Sequence, residues 1–137
     1  MRLLRMASPI VCVAALACGD SVAPTVDDVA GSYSATTFTT DLLGSTTDQL
    51  AQGSLLNMVL TADGQTTGHL FVPGAGDQGG DFDADLTGRW TLHGDTVEFD
   101  QAADTFVRDM PFVFSDGKLS GAAVFTETRV QVVLERQ

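Results

Sequence analysis

The sequence predicts an all-β fold, an antiparallel meander of about eight strands closing into a small up-and-down barrel. Three observations lead there. From Gly31 onward the chain is made of short segments rich in Val, Phe, Thr and Leu, with no apolar periodicity of helix length. Asp63-Gly64, Gly94-Asp95 and Asp116-Gly117 are dipeptides that tolerate positive φ and join consecutive strands as hairpins. Apolar and polar residues also alternate with period two, so each strand has one buried and one wet face.

Taken in order, the expected strands are 31–40, 54–62, 65–72, 82–93, 96–101, 105–115, 118–126 and 128–136. The fourth is the clearest: Phe82, Ala84, Leu86, Gly88, Trp90 and Leu92 share one face, and Asp83, Asp85, Thr87, Arg89, Thr91 and His93 the other. Val97 and Phe99 alternate with Glu98 and Asp100, and Val130, Val132 and Leu134 with Arg129, Gln131 and Glu135. Tight turns between sequential strands favour a meander, and closing it removes the exposed edges; a sandwich is the alternative closure. In the long first connection, Asp41 to Gly53, Ser45-Thr46-Thr47-Asp48 reads as a capping box opening one helical turn, or the stretch is a plain connection whose leucines plug the barrel.

Ahead of the barrel, Arg2 and Arg5 precede the apolar run Ile10 to Ala17, which stops at Cys18, the pattern of a secretory signal. Ala15-Leu16-Ala17-Cys18 resembles the lipobox of bacterial lipoproteins. That resemblance implies residues 1–17 as a signal peptide and Cys18 as the acylated first residue of an envelope protein anchored to the membrane, not spanning it. An ordinary cleaved signal with Cys18 incidental is the alternative. Gly19 stands where lipoproteins kept in the inner membrane often carry aspartate, which resembles an outer-membrane address. Residues 18–28 are the lipidated cysteine and a flexible tether, and 29–137 the domain.

Gly31-Ser32-Tyr33, Leu60-Thr61-Ala62-Asp63-Gly64, Gly88-Arg89-Trp90-Thr91-Leu92-His93-Gly94-Asp95-Thr96-Val97 and Asp116-Gly117-Lys118-Leu119-Ser120-Gly121 together resemble bacterial lipocalin-like domains. The resemblance implies a cup-shaped barrel with a loop over its mouth, and a first-strand ring covered by an arginine of the last strand. Tyr33 and Arg136 are the residues it places in that closure. It also implies a small hydrophobic or amphiphilic ligand. Whether the interior has room is open, because Phe71, Phe82, Trp90, Phe99, Phe106, Phe112, Phe114 and Phe125 are candidates to fill it.

If the sixth strand runs unbroken, Phe106, Arg108, Met110, Phe112 and Phe114 share a face, and Arg108 points inside to hold an anionic headgroup beside Phe112 and Trp90. A bulge at Asp109-Met110-Pro111 would instead turn Arg108 to water.

The net charge is −11, and removing the leader deletes two arginines and no acid, which argues against nucleic acid as a partner and disfavours docking by charge to anionic membrane headgroups, leaving acyl chains as the attachment. Both cysteines, Cys12 and Cys18, lie at or before the lipidation point, so the domain has no disulfide. Catalytic residues are not expected: His69 and His93 lack zinc-site spacing, no Gly-x-Ser-x-Gly occurs, and no cofactor motif stands in the right context. Asp77, Asp81, Asp83 and Asp85 invite calcium, but a loop begun at Asp81 would need glycine at Leu86 and an acid at Leu92. The alternative to a ligand carrier is a non-catalytic interaction module with a packed core.

Overall fold

A computed structural model describes residues 22–137; the leader and Cys18 lie outside the described residues. The elements are α1 (Val26–Val29), β1 (Gly31–Leu42), β2 (Ser45–Asp48), β3 (Leu55–Leu60), β4 (Gln65–Val72), a 3-10 turn (Asp77–Gly79), β5 (Phe82–Asp85), β6 (Gly88–His93), β7 (Thr96–Gln101), α2 (Phe106–Asp109), β8 (Phe112–Ser115), β9 (Lys118–Phe125) and β10 (Thr128–Arg136).

The strands run antiparallel in the order β1, β3, β4, β5 with β6, β7, β8, β9, β10, and β10 returns to β1 from Tyr33 opposite Arg136 to Leu42 opposite Thr128. This is a closed eight-stranded barrel of the expected up-and-down kind. β5 and β6 are two parts of one stave. They pair with opposite ends of β4, the Leu86 N–H bonds the Gly68 carbonyl between them at 2.9 Å, and the inward parity from Phe82 to Leu92 never breaks. A Cβ on Gly88 would run into the Asp100 carbonyl oxygen, so only glycine permits this close crossing with β7.

Four segments differ from the sequence expectation. The strand expected over 105–115 is cut to β8, preceded by the helical turn α2. Pro111 has no N–H for a ladder and pushes Met110 to extended backbone (φ −115°, ψ 126°), while the helical turn buries Val107 and Met110 together. Ser45 to Asp48 do not cap a helix; they form β2, folded back on β1 through Leu43 and Gly44, both at positive φ as a two-residue hairpin turn demands. In β1 the register slips between Ala35 and Thr37, a bulge that reverses the strand's sidedness. Phe38 therefore faces the interior with Tyr33, at 2% and 1% exposure. Finally, Thr25 to Asp28, expected as tether, form a capping box: the Thr25 hydroxyl accepts from the Asp28 N–H, and the Asp28 carboxylate accepts from the Thr25 N–H at 2.8 Å.

The middle of the barrel is filled by Leu56, Met58, Leu86, Phe99, Met110, Phe112, Leu119 and Val132. Phe99 and Phe112 meet edge to face at 5.5 Å. Gly121 faces inward beneath them, and a Cβ there would stand 3.0 Å from the Phe112 ring, so its missing side chain makes room for that ring. Phe71 lies on the outward parity of β4, between inward Leu70 and Val72, and is only half-buried, so it does not join the filling.

Candidate functional site

The two ends of the barrel are built differently. At one end, where the β3–β4, β6–β7 and β8–β9 turns cluster, α1 lies under the staves. The Tyr33 hydroxyl donates to the Val29 carbonyl. The Arg136 guanidinium stands 5.6 Å from the Tyr33 ring centre and 5.7 Å from that of Phe114, and it donates to the Asp28 and Ala30 carbonyls and to the Tyr33 hydroxyl. α1 has its N-terminal carboxylate in place: hydrogen bonds from the Thr25 backbone and hydroxyl hold the Asp28 carboxyl below its ordinary range. Burial pushes the Tyr33 phenol above its ordinary value, against the opposing pull of Arg136.

At the other end a cup of about 320 Å³ opens between the β1–β2 finger and the β4–β5 and β7–β8 connections. β1 contributes Phe38 and Thr40, β4 Leu70 and Val72, β5 Phe82 and β10 Val130; Phe106 of α2 covers one side, its ring 5.3 Å from that of Phe38. The wall is thus almost wholly apolar and aromatic. Gln49, just after β2, straps the rim: its N–H donates to the Phe38 carbonyl at 2.8 Å and its amide to the Thr40 hydroxyl at 2.7 Å. Thr105 also lines the cup. It precedes α2 as N-cap without making the side-chain cap bond, and its hydroxyl has no hydrogen-bond partner although the residue is 94% buried, its exposure being 6%.

The sequence-expected ligand residues are not brought together at this cup. Arg108 lies on the outer side of α2, one-third exposed, with its guanidinium on Asp104 at 2.5 Å and Asp109 at 2.9 Å. The break of the sixth strand removes the premise that put it inside. The pairing holds the Asp109 carboxyl low and the Arg108 guanidinium high. Phe112 is wholly buried in the packed middle. Trp90 is buried at 3% exposure and donates its indole N–H to the Thr61 carbonyl at 2.9 Å, toward the closed end.

Phe38, Leu70, Val72 and Thr105 are the site residues that sequence reasoning passes over. Phe38 is hidden by the β1 bulge. A signal for Thr105 exists: an N-cap residue type followed six residues later by proline brackets one helical turn.

Outside the cup, His69 lies on the outer face between Asp83 at 3.1 Å and Asp85 at 3.5 Å. Among the described residues no group of three or more His, Cys, Asp or Glu is placed to hold a metal ion, and no helix is long and apolar enough to cross a membrane.

Comparison with protein-family models, with curated proteins and with solved structures finds no match to this chain.

Proposed function

We propose that the chain is a membrane-anchored extracytoplasmic lipoprotein whose lipocalin-like barrel carries a small apolar molecule in the cup at its open end. The observation that carries this reading is the cup itself: about 320 Å³, walled by Phe38, Leu70, Val72, Phe82, Phe106 and Val130, in the size range and with the apolar lining of small-molecule sites. At the ~30 Å³ that a water-sized group occupies in a liquid, the volume suits an occupant of about ten non-hydrogen atoms. Two features of the geometry support carriage over catalysis. The one ionisable side chain of the wall, Asp104, is exposed and paired with Arg108, and the titratable side chains with perturbed pKa values sit in ion pairs, caps and turns outside the cup.

The anchor reading rests on Ala15-Leu16-Ala17-Cys18. α1 docks at the closed end, so a tether from Cys18 joins the barrel at the end opposite the cup, and the mouth faces away from the bilayer. Ligand exchange is then with the aqueous side of the envelope.

Native mass spectrometry of residues 22–137, prepared without detergent, tests carriage. These residues suffice because the sheet closes on itself within them. An excess mass that disappears on denaturation is the expected result. A bare mass together with failure to take up any added apolar probe would favour a non-catalytic interaction module. In the full chain, incorporation of labelled palmitate that is abolished by Cys18→Ser tests the anchor.

A further inference from the structure

The cup has a charge preference as well as a size. The elements and connections at this end of the barrel carry Asp48 on β2, Asp77 and Asp81 between β4 and β5, Asp104 and Asp109 between β7 and β8, and Glu127 between β9 and β10, against Arg108 on α2 and Arg129 on β10, and Arg129 stands opposite Asp41 in the β1–β10 register. The cation expected from sequence to greet a carboxylate is spent: Arg108 bonds Asp104 and Asp109, and the three together remain one charge negative. Asp104 is also the one charged residue of the cup's lining; its side chain is 87% exposed, and Arg108 engages its Oδ1. Thr105, the next residue, also lines the cup, and its hydroxyl, an acceptor as well as a donor, is buried without a partner. Below them Phe38, Phe82 and Phe106 offer an aromatic wall for a hydrocarbon body. The whole chain has a net charge of −11, so the long-range field acts in the same direction.

We infer that the occupant of the cup is a small apolar amine in its ammonium form, its hydrocarbon body against Phe38, Leu70 and Phe106 and its head at Asp104 and Thr105, and that the carboxylate of the same length is rejected. The inference rests on the cup being a binding site and adds the charge class of what it binds.

The test is isothermal titration of residues 22–137 at neutral pH and low salt with three probes of one chain length, octylammonium, octanol and octanoate. The expected order is ammonium, then alcohol, then carboxylate. The first and last should differ about tenfold or more, as one unit-charge contact near a protein surface provides. Added salt narrows the gap. Asp104→Asn, at an exposed position that tolerates the change, reduces it to about threefold or less, whereas Arg108→Gln removes the opposing charge and widens it. Octanoate binding as tightly as octylammonium, with octanol also bound, would overturn the charge preference and leave carriage standing. Binding of none of the three would overturn carriage and the preference together.

Discussion

The closed end and the open end of this barrel use the same staves to opposite effect. At the closed end an arginine, a tyrosine and a capped helical turn satisfy one another: Arg136 reaches the carbonyls of Asp28 and Ala30 and the Tyr33 hydroxyl, and Tyr33 reaches Val29. At the open end the aromatic rings of Phe38 and Phe106 pack on each other at 5.3 Å beside the cup, and the Thr105 hydroxyl has no partner. A plug maximises satisfied contacts and stability, whereas a cup must leave some unmade. The difference teaches where this fold holds its stability and where it forgoes it.

The largest expected effect separates the two regions by packing. Phe112→Ala removes a wholly buried ring that Phe99 and Gly121 are shaped around, and should lower unfolding stability by about 3–5 kcal/mol. Phe106→Ala removes a half-buried ring beside a space already open, and should lower it by only about 1–2 kcal/mol. Its greater consequence should be a cup that no longer grips an eight-carbon probe. Denaturant unfolding with the midpoint and slope measured separately reads both variants. Equal losses would mean that the cup is closed by a rearrangement of α2.

How much of this contrast the sequence exposes depends on how local its causes are. Hairpin dipeptides act within four residues, and the period-two alternation of residues 82–93 survives even where the ladder is divided at Leu86, so the meander and its closure are legible. The closing pair Tyr33 and Arg136 lies 103 residues apart in the chain and is anticipated only through the family resemblance of the short motifs, while the β1–β10 register sets the two directly opposite each other. The cup is not legible. One of its rings, Phe38, owes its direction to an extra residue in β1, and nothing in Ser34-Ala35-Thr36-Thr37 marks which position is squeezed out; the slip falls where β1 parts from β3 after Ser34, while its pairing with β10 continues on both sides. Arg108 misleads for a related reason: the period-two reading of 105–115 is genuine as a string, but a single proline and the burial of Val107 and Met110 outweigh it.

The closed end can be sharpened through its phenol. Tyr33 is the only tyrosine, so an ultraviolet pH titration reports it alone. Burial raises its pKa above the ordinary 10.0. The folded state therefore holds the proton more tightly than the unfolded one. The resulting stability is fully present below about pH 10 and is lost as pH rises through the folded value. Tyr33→Phe should cost about 1 kcal/mol at neutral pH, since the Val29 carbonyl loses its donor, and should remove this part of the alkaline loss. An unshifted phenol titration would mean that the plug opens to water and that the two ends are less different than their geometry.

The smallest effects concern two buried hydroxyls, and they separate stability from binding most cleanly. Thr66, at 1% exposure in the packed half, and Thr105 at the cup both lack a hydrogen-bond partner. An isosteric valine deletes the unpaired oxygen and keeps the shape, so Thr66→Val and Thr105→Val should each raise stability by about 0.5–1 kcal/mol. A loss at Thr66 instead would point to a water bridging it to the unpaired Gln101 Oε1, which lies in the same lateral row through Gly88. Thr105→Val should differ from its counterpart in one respect only, weakening octanol by about threefold or more while Thr66→Val leaves it unchanged. A hydroxyl that costs the empty barrel stability and repays it only with an occupant present is what distinguishes a binding site from a packing defect; equal binding by both variants would make Thr105 the defect and leave the grip on the ligand to the rings.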